Sequence, residues 1–208
     1  MLIAALPHTR TEDGARLPML VWRFPEPMSV ASTASVGGGV GTRRWLINAQ
    51  VGSDYVRQDQ TKHAKELAKS ARLDGSGVVM FTAAEVRAVR LSVDGGVQVE
   101  ATVGLTHPTW AADADGRYDG APGTINIVAF LPVRLAPAAL LNALCTVTEA
   151  KAQALFEAGV AGTGTASDAV AIACPAAGDT EPFAGPRSRW GARLARAVHA
   201  VVLAGAQA

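Results

Sequence analysis

TINIVAFLP, residues 124–132, is apolar on nearly both faces, with Asn126 the polar side chain in its interior. A run of this length without alternation predicts a central strand buried on both sides. Such a strand needs a packed layer, and the residues after it supply one. A long helix is predicted from about Ala136 to Ala158, with Gly159 as its natural stop. DAVAIA, residues 168–173, predicts a last buried strand. A final helix begins near Ser188 and carries Trp190, Leu194, Val198 and Val202 along one stripe.

Upstream, MLVWRF (19–24) and MSVASTASV (28–36) predict strands interrupted by Pro25 and Pro27, because proline cannot donate to a ladder. WLINAQV (45–51) and VVMFT (78–82) predict two more. Between them, residues 59–73 place Ala64, Leu67, Ala68 and Ala71 at helical spacing, the pattern of an amphipathic surface helix. Val89, Leu91 and Val93, then Val97, Val99, Ala101 and Val103, alternate on either side of Asp94-Gly95-Gly96 and predict a hairpin. Residues 106–120, THPTWAADADGRYDG, have no period and predict a long loop, either a binding loop or a solvated connector. Many strands and few helices in irregular order predict an α+β fold: a single layered domain over 1–208, with helices packed on a mixed β-sheet.

Nineteen basic and eighteen acidic residues leave a net charge of +1, so no long-range field favours nucleic acid or an anionic membrane. No stretch of about twenty residues is apolar and free of charge. The opening MLIAALPHTR has no basic region before its apolar residues and does not read as a signal peptide. A soluble, cytoplasmic protein is expected, with Cys145 and Cys174 as two buried thiols rather than a disulfide. The four histidines show no paired ligand spacing, so neither a metal nor another cofactor is expected. A homo-oligomer is compatible with this composition.

The candidate site residues are polar groups set among apolar ones. Glu149 lies in the middle of the long predicted helix, whose surface is apolar enough to predict a buried carboxylate. It suits either a general base or acid, or else a structural ion pair or a partly exposed rim position, and Lys151, two residues on, falls on another face. Asn126, and Asn48 in WLINAQV, either staple a neighbouring segment or present an amide to a ligand. The stretch SVASTASVGGGVGT, 29–42, with Ser32, Ser35, Gly37, Gly38 and Gly39, forms a flexible turn or lets N–H groups converge on an anion or a carbonyl oxygen. It lacks the glycine spacing of nucleotide-binding loops. GTGTASDAVAIA, 162–173, sets Thr163, Thr165, Ser167 and Asp168 at a strand mouth, where small side chains allow close approach of a bulky ligand. Asp168 alternatively caps a turn through its own backbone. Arg189, Arg193 and Arg196 stripe the last helix, as a solvated face or an anion site.

STASVGGG (32–39), WLINAQV (45–51), MFTAAEV (80–86), GLTHPTW (104–110), GTINIVAFLP (123–132), TVTEAKAQAL (146–155), GTGTASDAVAIA (162–173) and FAGPRSRWGARLARAV (183–198) together resemble the adenosylcobinamide amidohydrolase family, in the family's order and over nearly the whole chain. The 106–120 loop is the conspicuous departure. The resemblance implies hydrolysis of the amide joining aminopropanol to the corrin ring of adenosylcobinamide, releasing adenosylcobyric acid for cobalamin synthesis.

Amide hydrolysis requires a nucleophile, donors for the oxyanion and a proton for the leaving amine. In that scheme Glu149 activates water and protonates the amine. Backbone N–H groups of the 37–41 or 162–165 loops, helped by Asn48 or Asn126, hold the oxyanion. Asp168 orients the water or the aminopropanol, while Thr124 and the small hydroxyls contact substrate. A covalent nucleophile among Thr163, Thr165 and Ser167 is the competing mechanism. A non-catalytic corrinoid-binding protein and an unrelated small-molecule amidase are the alternative functions.

Overall fold

The computed structural model describes residues 3–114 and 123–208; positions 115–120 of the expected 106–120 loop lie outside the described residues. The chain runs β1 (Leu6–Glu12), β2 (Ala15–Ser32), β3 (Gly39–Gln50), α1 (Gln60–Ser70), β4 (Gly77–Thr82), β5 (Arg90–Asp94), β6 (Val97–Gly104), β7 (Thr124–Phe130), β8 (Arg134–Leu135), α2 (Pro137–Glu157), β9 (Ala169–Pro175), β10 (Thr180–Glu181) and α3 (Arg189–Ala206). Eight strands form one sheet in the order β4-β3-β2-β9-β7-β6-β5, with β1 also paired to β2, and β8 pairs with β10 alongside. The β3–β4 and β7–β9 pairs are parallel and the other pairs of the large sheet antiparallel. This is the expected α+β arrangement of a mixed sheet with packed helices.

Two expected strands are one. β2 continues through Pro25 and Pro27, and the prolines coincide with a shift in its register against β3 between Arg23 and Met28. The missing N–H groups are accommodated where pairing is already broken. β2 also changes partner there: residues 15–21 pair with β1, and residues 28–32 with β9.

Alternation along the strands sorts the core into three parts. Leu46, Val128, Ala171 and Trp22 face inward as the sheet curls, with Phe24 and Phe130 edge-to-face at 6.1 Å. Ile125, Ile127, Val99 and Ile172 face outward under α2 and α3. Trp45, Ile47 and Val21 pack against α1. The inward face is not wholly apolar. Asn126 on β7 donates to Asn48 Oδ1 on β3 (2.8 Å) and to Phe81 O on β4 (3.1 Å). Asn48 in turn donates to Thr102 Oγ1 on β6 (3.0 Å). These bonds join strands far apart in the sheet order, so they tie the curl across its interior.

The arginine stripe of α3 is largely occupied. Arg196 pairs with Asp94 (2.6 Å), Arg193 donates to Gly95 O (3.0 Å), and the Arg193 guanidinium lies 4.7 Å from the Trp190 ring centre. The stripe fastens the β5–β6 turn to α3. Both cysteines are free thiols; Cys174 is buried as expected, but Cys145 is exposed, on the solvent side of α2. Among the described residues, no helix is long and apolar enough to cross a membrane.

Candidate active site

β3 and β4 end, and β7 and β9 begin, on the same side of the curled sheet. The loops there enclose a cavity of about 660 Å³, reached by Ser35, Tyr55, Phe81, Thr124, Ser167 and Asp168. A second cavity of about 650 Å³ lies among Pro25, Met28, Phe130 and Pro132 and is mostly apolar. Hydroxyls and ionisable groups converge in the first, which makes it the site candidate. Ser35 Oγ donates to Gln60 Oε1 (2.7 Å) across its mouth.

Asp168 is the hub of its inner wall. Lys151 Nζ, from α2, and Thr165 N (3.1 Å) donate to Oδ2; Ile125 N (2.8 Å) and Thr165 Oγ1 (2.5 Å) donate to Oδ1. An ionised carboxylate has about four acceptor positions; three take N–H protons, and at the fourth the single Thr165 hydroxyl proton is shared between Asp168 Oδ1 and Gly123 O (2.7 Å). Asp168 thus acts as a clamp joining α2, the head of β7 and the 163–168 loop, at the edge of the cavity. Lys151, 8% exposed, is drawn inward by this pair.

The glycines of GTGT follow from the same packing. A Cβ at Gly164 would meet the Lys151 ammonium and the Asp168 carboxylate, and one at Gly162 would lie 2.8 Å from Thr109 O. Thr109 and residues 163–164 bond backbone to backbone, at 2.8 and 2.9 Å, and Ala111 N donates to Thr163 Oγ1 (3.0 Å). The described part of the 106–120 loop thus borders the strand mouth.

Of the small hydroxyls, Thr163 and Thr165 are spent on this bracing. Ser167 and Thr124 line the cavity, their oxygens 2.8 Å apart, and Ser167 Oγ also donates to Gly123 O (3.0 Å). With Ser167 donating to that carbonyl, the Thr124 proton is available to Ser167 or to an oxygen in the cavity.

Several expected site residues take other positions. Glu149 is exposed rather than buried, because it shares the outer stripe of α2 with Asn142, Cys145 and Phe156, all exposed, while Ala143, Val147, Lys151 and Ala154 face the sheet. It does not line the cavity. Both Asn126 N–H donors are committed to the sheet, so Asn126 serves as the staple; its Oδ1 is buried without a protein partner. Asn48, deep in the curl, is its acceptor. Ser32 is buried and accepts from Ala34 N (3.1 Å). Gly37 and Gly39 take positive φ angles of 74° and 80°, and the carbonyls of Gly37 and Gly38 accept from Arg43, which pins the turn. The part of that segment reaching the cavity is 33–35.

The sequence reading missed a second cluster. His63 lies on the buried side of α1 and is 1% exposed. Its Nδ1 is 2.9 Å from Tyr55 Oη and its Nε2 is 3.0 Å from Glu12 Oε1. That second contact is close but lies off the straight N–H line. Tyr55 and His63 stack on Phe81, with centroids 5.3 and 5.2 Å away. The spacing of His63 with Ala64, Leu67 and Ala68 was the available signal, since it puts the imidazole beside the apolar stripe. Among the described residues, no three His, Cys, Asp or Glu side chains gather as a metal-binding group.

A family model described as adenosylcobinamide amidohydrolase matches residues 4–208. A protein of Halobacterium salinarum named adenosylcobinamide amidohydrolase is 36% identical over 132 residues, 61% of this chain and 57% of that protein. One of Methanosarcina mazei with the same name is 26% identical over 184 residues, 84% of this chain and 88% of that protein. The aligned region thus spans little more than half of the Halobacterium protein's length.

Proposed function

The chain belongs to the adenosylcobinamide amidohydrolase family, and from that membership we propose that it hydrolyses the amide between aminopropanol and the corrin ring of adenosylcobinamide. The products are adenosylcobyric acid and aminopropanol, and the reaction serves cobinamide salvage. The observation that carries this reading is the convergence of Thr124, Ser167 and Ser35 hydroxyls on one cavity whose wall is braced by the Lys151–Asp168 pair. The cavity takes the aminopropanol arm and the reacting amide, with the macrocycle against its mouth. Exposed Val56 and the Phe81 ring supply apolar surface there.

Water attacks the amide carbon, the carbonyl oxygen gains charge, and the amine leaves with a proton. The Thr124 hydroxyl donates to the developing oxyanion, and Ser167 holds Thr124 in place. Asp168 and Lys151 keep both hydroxyls fixed rather than reacting themselves. In the covalent variant of this reading Ser167 is the nucleophile, since of the three loop hydroxyls considered it alone lines the cavity.

Purified protein incubated with adenosylcobinamide should yield adenosylcobyric acid and aminopropanol by mass spectrometry. Tight binding without product would instead make it a corrinoid-binding protein, and neither binding nor product an unrelated amidase. A corrinoid adduct on Ser167 in the quenched reaction would select the covalent route; turnover with no such adduct selects water.

A further inference from the structure

We propose that Glu12, His63 and Tyr55 form a proton relay, with the Tyr55 phenol as its end in the cavity and the catalytic group that exchanges a proton with the attacking water and the leaving amine. The inference deepens the amidohydrolase reading and rests on it for the identity of the reacting amide. It starts from geometry. Tyr55 lines the cavity, its oxygen is 2.9 Å from His63 Nδ1, and the other ring nitrogen is in ion-pair contact with Glu12 at 3.0 Å, off the straight N–H line. Carboxylate, imidazole and hydroxyl in that order are the arrangement by which a buried base is oriented and its charged form stabilised.

The neighbours set the protonation states. Glu12 and Arg10 face His63 from β1, Tyr55, Arg57 and Asp59 from the segment before α1, and Phe81 from β4. Burial alone would raise the Glu12 carboxyl, but its contacts with Arg10 (2.7 Å) and His63 outweigh this and hold it below the usual range. An ionised Glu12 beside Nε2 places the imidazole proton on Nε2 and leaves Nδ1 to accept from Tyr55. Burial pushes His63 below its ordinary value, with Glu12 opposing, so the ring is neutral at pH 7. Burial likewise raises the Tyr55 phenol, which stays protonated.

The relay borrows one proton and returns it. As the water oxygen bonds to the amide carbon, its proton passes to Tyr55 Oη while the phenol proton moves to His63 Nδ1. The resulting imidazolium is balanced by Glu12. When the C–N bond breaks, Nδ1 returns its proton to Tyr55 and the phenol proton goes to the amine nitrogen.

A loop brace would show the same contacts, so the test separates the two roles. Y55F keeps the ring stack on Phe81 and removes the hydroxyl. It should lower kcat by about 100-fold or more while leaving KM for adenosylcobinamide and the melting temperature nearly unchanged. E12Q should lower kcat and move the acid limb of the pH profile to lower pH, because the imidazolium loses its counter-charge. Nitrogen-15 NMR of the free protein should show His63 protonated on Nε2, with an Nδ1 signal that shifts in Y55F. Near-normal kcat in Y55F, an unmoved acid limb in E12Q, or protonation on Nδ1 would each overturn the relay. Wild-type protein inert toward adenosylcobinamide would overturn the substrate reading instead, and the NMR measurement would still decide the relay.

Discussion

Glu100 shows how a single buried side chain couples stability to pH. It lies inside the curl, 6% exposed, accepting from Trp22 Nε1 (3.0 Å) and Gln98 Nε2 (2.8 Å), neither of which is a cation. Burial raises its carboxyl above the usual value, against the two hydrogen bonds. A group whose folded value is raised contributes fully below its unfolded value and loses that contribution as pH rises through the folded one. Urea unfolding should therefore show E100Q gaining on the wild type between pH 4 and pH 8; a constant difference would mean Glu100 titrates normally. The sequence placed Glu100 on an alternating strand but could not show which face would be enclosed. The same limit applies to Glu149, whose helix is apolar over so much of its surface that composition gave no side to solvent. Packing chose the face with Ala143, Val147 and Ala154, leaving Glu149 outside and Lys151 within.

At the level of elements, α2, β7, β9 and the loop before β9 are joined at Asp168. Removing its cation should be felt throughout that junction. K151M leaves a largely buried carboxylate without its ammonium and should cost about 3 kcal/mol in denaturant unfolding, together with most of the hydrolase activity. G164A should do likewise, because its methyl would displace the same pair. Wild-type stability in both variants would show the clamp to be incidental. The helices and the β5–β6 hairpin were legible because their periods are local. β1 went unread, and β2 was split at its prolines, because continuity across Pro25 and Pro27 depends on the strands alongside.

For the molecule as a whole, the decisive feature is the curl that brings β3, β4, β6 and β7 together through Asn48, Asn126 and Thr102. N126A would leave Phe81 O and Asn48 Oδ1 without their donor in a buried place, at a cost of about 1–3 kcal/mol. Its effect on catalysis should follow from a loosened cavity, seen as a higher KM with kcat less affected. A collapse of kcat with KM unchanged would return Asn126 to the chemistry itself.

The amino-acid order by itself determined the helices, most strands, the mixed α+β class and the family, since each is written in local periodicity and contiguous motifs. It also marked Asn48, Asn126, Ser167 and Asp168 as polar groups in apolar settings. Their tasks were decided only by the fold, because hydrogen-bond partners such as Lys151 for Asp168, or Tyr55 and Glu12 for His63, come from segments that meet only when the sheet closes.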